Sequence, residues 1–146
     1  NSRCHTNGIM SEYISKKDRD YVAKRASHCC EYCRMPLRFS LFTFHVDHVI
    51  SLKHGGKTTL SNLALACGIC NVNKGTDIGT FLENESDIVR FFHPRKDVWN
   101  EHFEIMEGVI YGKTPIGKST VKIFLFNEVE RIIERKLLIE GGFLKP

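Results

Sequence analysis

Two short cysteine steps, Cys30-Glu31-Tyr32-Cys33 and Cys67-Gly68-Ile69-Cys70, constrain this chain more than anything else in it. Paired Cys-x-x-Cys turns a few dozen residues apart match a four-thiolate zinc site. Such a site takes every ligand from the protein and leaves no open position, so the zinc expected on Cys30, Cys33, Cys67 and Cys70 is structural rather than catalytic. Six cysteines also suit a secreted disulfide framework, but bridges closing so few residues restrict the unfolded chain little. Cys29 could replace Cys30 only by opening the first step to three intervening residues, so Cys30 is preferred.

The 146 residues suggest one domain, and 42% apolar content with ten Phe supplies material for a core. No apolar run approaches the roughly 18 residues of a membrane span, and the start lacks a secretory pattern, so a cytoplasmic protein without a membrane partner is expected. Asn1–Ile9 has no periodicity and precedes Met10, which reads as an upstream translated scar; Cys4 and His5 are set aside on that ground. Charge is split: residues 15–76 carry a local +6 and residues 77–146 a local −2. An anion such as nucleic acid is the natural partner of the first half, with a solvated basic face as the plain alternative.

The expected organisation is a tail over 1–14, a core over 15–80 and an extension packed on it over 81–146. Ser15 caps a helix through Ala26, with Asp18 in the capping-box position and Tyr21, Val22 and Ala26 facing inward. A break at Met35-Pro36 precedes a strand over Phe42–Ile50, in which Phe44, Val46 and His48 share one face and His45, Asp47 and Val49 the other. His54-Gly55-Gly56-Lys57 is a turn, Leu63–Ala66 a second strand, and Asn71–Lys74 opens a helix. Later, a hairpin turns at Glu107-Gly108, Thr114-Pro115 starts a helix, and Asn127 caps a last one. Val129, Ile132, Ile133 and Leu137 form its apolar stripe, expected against the core or in a homodimer.

The stretches CEYC at 30–33, FHVDHVISLKHGG at 44–56, LSNLALAC at 60–67 and CNVNKG at 70–75 together resemble the HNH nuclease family, in its subset pinned by two zinc knuckles. The resemblance implies an α+β fold, a ββα-metal core with a structural four-Cys zinc site, followed here by a mixed α/β C-terminal extension. It implies His48 as general base, Asp47 and Asn71 as ligands of a catalytic metal, and Asn62 as the residue bracing the loop. Asn71 stands where the family name has a His.

The chemistry of these residues makes the same case. Hydrolysing a DNA phosphodiester needs a base near neutral pH, and imidazole ordinarily titrates near about 6.5. A carboxylate and an amide oxygen are hard ligands that favour Mg²⁺ or Mn²⁺, and one carboxylate is too little for a two-metal clamp. His45 is either a metal or phosphate contact or a half-buried polar residue; His28, His54, His93 and His102 read as surface or capping residues. Lys74, on the helix face of Asn71, with Lys53, Lys57, Arg34 and Arg38, is a candidate phosphate contact, backed by Lys16, Lys17, Arg19, Lys24 and Arg25. A zinc module that only binds nucleic acid, without catalysis, is the first alternative; an interaction scaffold is the second. Gly112–Ser119 satisfies the phosphate-loop pattern, but too little chain follows for a nucleotide-binding sheet.

Overall fold

The computed structural model describes residues 13–41 and 43–146; the Asn1–Ile9 tail with Cys4 and His5, and Phe42 at the expected strand start, lie outside the described residues. The first helix, α1 (Lys16–Arg25), begins where Ser15 Oγ accepts the Asp18 N–H at 3.1 Å, relieving one of the unpaired donors of a helix start. Val22 is fully buried and Ala26 partly so, but Tyr21 is 51% exposed, contrary to expectation. Its ring lies under the Arg25 guanidinium instead.

Strand β1 (His45–His48) is shorter than the sequence suggests, and pairs antiparallel with β2 (Leu63–Ala66), His48 opposite Leu63 and Asp47 opposite Ala64. Alternation sorts the hairpin into two faces. Leu63 and Leu65 join Ile14 and Val22 under α1, with Phe44 and Val46 packed against them. Ala64 and Ala66 point the other way into the larger core, where their small side chains sit beside the four buried cysteines. Helix α2 (Gly68–Lys74) starts three residues earlier than expected because Cys67 is its N-cap, Sγ accepting the Cys70 N–H. Strand, loop, strand, helix is thus the order found.

The loop between β1 and β2 is tied at one point. Asn62 Oδ1 accepts the Ile50 N–H at 2.9 Å, and its Nδ2 donates to the carbonyls of Ile50 and Lys57. A Cβ at Gly56 would stand 1.7 Å from the Ile50 carbonyl oxygen, so no other residue fits this closure.

The remaining chain completes the larger core. A two-residue ladder joins β3 (Gly79–Thr80) to β4 (Val89–Arg90), neither of which the sequence announced. One turn of helix, α3 (Trp99–His102), leads into the hairpin β5 (Phe103–Met106) and β6 (Val109–Gly112). Its turn residues, Glu107 and Gly108, both have positive φ, as a two-residue hairpin turn of matching twist requires. Helix α4 (Pro115–Ile123) is capped by Thr114, and its Ser119 and Thr120 are buried, so the phosphate-loop pattern is an ordinary capped helix. Phe91, Phe92, Phe103, Phe124 and Phe126 then pack with Tyr32 and Trp99 around the cysteines.

The last helix, α5 (Val129–Glu140), reverses its expected orientation. Val129, Ile133 and Leu137 are more than half exposed and only Ile132 of the expected stripe is half-buried, whereas Arg131 and Arg135 are 5% and 1% exposed. Asn127 does not cap it; its amide pairs with both backbone groups of Ile110. Arg131 donates to the carbonyls of Phe124 and Leu125 and Arg135 to those of Gly108 and Phe126, satisfying oxygens left open where α4 ends and the hairpin turns.

Candidate metal centre and active site

All four expected thiols meet: the sulfurs of Cys30, Cys33, Cys67 and Cys70 lie within 4.8 Å of one another and all four residues are buried. Cys33 and Cys67 are 3.7 Å apart. Zinc–sulfur bonds of about 2.3 Å place the corners of a tetrahedron about 3.8 Å apart, so the cluster is sized to hold zinc. Cys29 is outside it, its Sγ facing the Ser27 carbonyl.

The electrostatics of the cluster favour a thiolate at Cys33. Donation from Cys30, Cys67 and Cys70, with the charge of Arg131, holds the Cys33 thiol well below its ordinary pKa, while burial pushes Cys30 and Cys70 up. Arg131 Nη2 donates to Cys70 Sγ at 3.2 Å and approaches Cys67 Sγ at 3.9 Å. Burial alone would lower its pKa, but the charge on Cys33 and Cys70 outweighs that and raises it. Sequence reading missed Arg131. The signal was its spacing of four from Arg135, two cations on one helix face.

The first knuckle also reaches the hairpin. Glu31 exchanges bonds with Leu65, its N–H to the Leu65 carbonyl and its carboxylate accepting the Leu65 N–H, both at 2.8 Å. Tyr32, fully buried, donates its hydroxyl to Asp47 Oδ2 at 2.7 Å.

Asp47, His48 and Asn71 line one open cleft of about 340 Å³, together with Ile14, Arg19 and Lys53. Asp47 comes from the α2 face of β1, His48 from the strand's end, and Asn71 from the helix that the second knuckle starts. Thr58 Oγ1 lies 2.9 Å from His48 Nε2 and fixes the ring. Burial raises the Asp47 pKa, and Lys74 and Tyr32 act to lower it again.

Four of the expected contact residues take other roles. Lys74 is 2% exposed, its ammonium 3.1 Å from Asp47 Oδ2 and 2.9 Å from the His48 carbonyl, so it is a buried partner of the carboxylate and not a surface phosphate contact. His45 is exposed and lines a separate hollow with Ile69, Val72 and Asn73, because α2 lies along the face His45 shares with Asp47 and divides it. Arg34 lies over the Trp99 ring and Arg38 near Phe39 and Phe143, neither in the Asp47 cleft. Lys53 is exposed at the cleft, and Lys57 is exposed on the loop that Asn62 ties. Arg19 borders the same cleft, with its Nε on the Ile14 carbonyl. His93, expected at the surface or in a cap, is buried, with Nδ1 accepting the Arg95 N–H.

Residues 30–77, from the first cluster cysteine to just past α2, match the model of the HNH endonuclease family. Over these residues the chain is similar to HNH endonucleases. Septu protein PtuB of Bacillus thuringiensis is similar over a longer stretch, 24% identical across 125 residues, covering 81% of this chain and 44% of that protein. The chain thus spans less than half the length of that curated relative, and no solved structure matches it. No helix of the described residues is long and apolar enough to cross a membrane.

Proposed function

We propose that this domain is a metal-dependent DNA endonuclease. The observation that carries the reading is the convergence of Asp47, His48 and Asn71 on one cleft bordered by Arg19 and Lys53. His48, its ring held by Thr58, is placed to take a proton from an attacking water; Asp47 and Asn71 offer hard oxygens that would hold one Mg²⁺ or Mn²⁺. Such an ion supplies charge neutralisation at the phosphate and leaving oxygen when bound. Asn62 keeps the loop carrying Lys53 and Lys57 closed, and Arg19 and Lys53 draw the phosphate backbone toward the cleft. Cys30, Cys33, Cys67 and Cys70 hold structural zinc, and both knuckles position the site, the first through Tyr32 and the second through α2 and Lys74.

A second reading, a zinc module that binds nucleic acid without cutting it, is favoured by one contact. Both Asp47 oxygens already face Lys74, so a divalent ion must share or displace that ammonium. Plasmid nicking with and without added Mg²⁺ or Mn²⁺ separates the two. Cleavage should require the ion, and His48→Ala should lower it by about 10² to 10⁴ with zinc content and melting temperature unchanged. Asp47→Ala should stop cutting while DNA binding persists, falling steeply with salt. Metal-independent binding with no nicking under any divalent ion establishes the silent module.

A further inference from the structure

A second cleft, of about 380 Å³, shares no lining residue with the Asp47 cleft. Its two carboxylates are already committed. Glu31 pairs with Arg95 and with the Leu65 N–H, and Asp97 takes two bonds from Arg90 and one from the His93 N–H. Three cations line the same cleft, Arg25, Arg34 and Lys145, and among the described residues none has a carboxylate within ion-pair distance. Arg25 donates to the carbonyls of Leu60 and Leu63 and lies over the Tyr21 ring, and its buried Nε has no acceptor.

Arg34 is the residue that stability alone does not explain. It follows Cys33 at φ +66°, in the left-handed region where glycine is the default, and its N–H closes the knuckle onto the Cys30 carbonyl, so the zinc turn fixes that backbone. The side chain is half-buried, donates to Asn100 Oδ1 and lies 3.8 Å from the centre of the Trp99 ring. Trp99 is itself pinned by its Nε1–H on the Tyr32 carbonyl. A cation–π contact of this kind is comparable in size to the left-handed cost and opposite in sign, so Arg34 gains the fold little over glycine. What it adds is a rigid, flat cation on an indole, beside the apolar walls of Phe92, Pro94 and Leu144.

An anion joined to a flat apolar group is the chemistry such a cleft recognises. We propose that it is a nucleotide-binding subsite, taking a nucleotide's phosphate on Arg25, Arg34 and Lys145 and its base against the Arg34–Trp99 pair. Guanidinium planes both stack on bases and bridge phosphate oxygens, which a lysine at position 34 would not do. The nucleotide is either free or the end of a nucleic-acid strand, and the chemistry is shared.

Trp99 is the single tryptophan of the chain, so its fluorescence reports this cleft directly. The zinc-loaded full chain, without other divalent ions, is titrated with deoxyadenosine monophosphate, with a 5′-phosphorylated single-stranded oligonucleotide, and with inorganic phosphate. Saturable quenching by either nucleotide ligand, at least tenfold tighter than by phosphate, is expected. Quenching by the oligonucleotide alone identifies a strand end as the source; equal quenching by the mononucleotide identifies a free nucleotide. Arg34→Gly should weaken binding at least tenfold with its melting temperature within about 5 °C of the parent. If that variant fails to fold, the exposed Lys145→Ala should weaken it several-fold. His48→Ala should quench like the parent, so the result stands apart from nuclease activity. Absence of quenching, phosphate binding as well as the nucleotides, or a folded Arg34→Gly with unchanged affinity overturns the proposal.

Discussion

Two acidic centres among the described residues have a fully or nearly buried cation leaning on them, and they are built differently. At the cysteine cluster, Arg131 touches Cys70 and Cys67 through one nitrogen and spends the other on the Phe124 and Leu125 carbonyls. It balances charge from outside and leaves the space among the four sulfurs to a metal. At Asp47, Lys74 stands on the carboxylate itself, within 3.3 Å of both oxygens. On the proposed reading the first centre keeps a cation beside its own arginine, and the second exchanges one cation for another. Two such centres would differ as a structural ion site differs from a working one, by where the resident charge sits.

The sharpest way to break the comparison is to remove a sulfur. Structural zinc in small domains contributes on the order of 10 to 16 kcal/mol, as much as or more than the roughly 5 to 15 kcal/mol by which a domain is folded. Cys67→Ser should therefore lose zinc and cooperative unfolding together, because Cys67 is also the N-cap of α2. Retention of one zinc per chain with an unchanged melting curve contradicts the tetrathiolate assignment, and metal analysis with calorimetry decides it.

Replacing each cation separately is the finer probe. Arg131→Met and Lys74→Met should each cost about 3 to 5 kcal/mol, since each strands a buried anionic group. Their metal behaviour should differ. The Arg131 variant should keep its zinc stoichiometry, whereas in the Lys74 variant an added Mn²⁺ should bind roughly tenfold more tightly at Asp47, where an ammonium no longer competes. Equal Mn²⁺ affinity in the parent and Lys74→Met means that Asp47 is not an ion site.

What was legible in the sequence divides along the same line. The knuckles, β2 and the Glu107-Gly108 hairpin are local: cysteine spacing, a short apolar run and a turn needing two positive φ values each declare themselves within a few residues. Asp47, His48 and Asn71 were expected together because the family pattern spaces them, and they do line one cleft. The buried cations were not. A charged residue reads as solvated unless its partner is known, and the partners of Arg131 and Lys74 lie 61 and 27 positions away in the chain. The same blindness turned α5 around: Val129, Ile133 and Leu137 outweigh two arginines on any hydropathy argument, until thiolates and open carbonyls make the arginine face the one worth burying.

A third acid–cation contact calibrates the other two, because its cation reaches the surface. Asp97 takes a two-pronged contact from Arg90, at 2.7 and 2.9 Å, and the His93 N–H at 2.8 Å, with the Arg90 side chain half exposed. Arg90 holds the Asp97 carboxyl below its ordinary range, against the opposing effect of partial burial. A carboxylate whose folded pKa is depressed contributes fully above its unfolded value, near about 3.9, and the contribution is lost as pH falls through the folded value. Exposed pairs are worth only about 0.2 to 1 kcal/mol. Asp97→Asn should accordingly lower the melting temperature by about 1 to 4 °C at pH 7, and this gap should close as the pH is taken from 5 toward 3. A gap that persists at the lowest pH would show that the loss does not come from the Asp97 charge, since the amide keeps an acceptor for the His93 N–H and removes only the ion pair with Arg90.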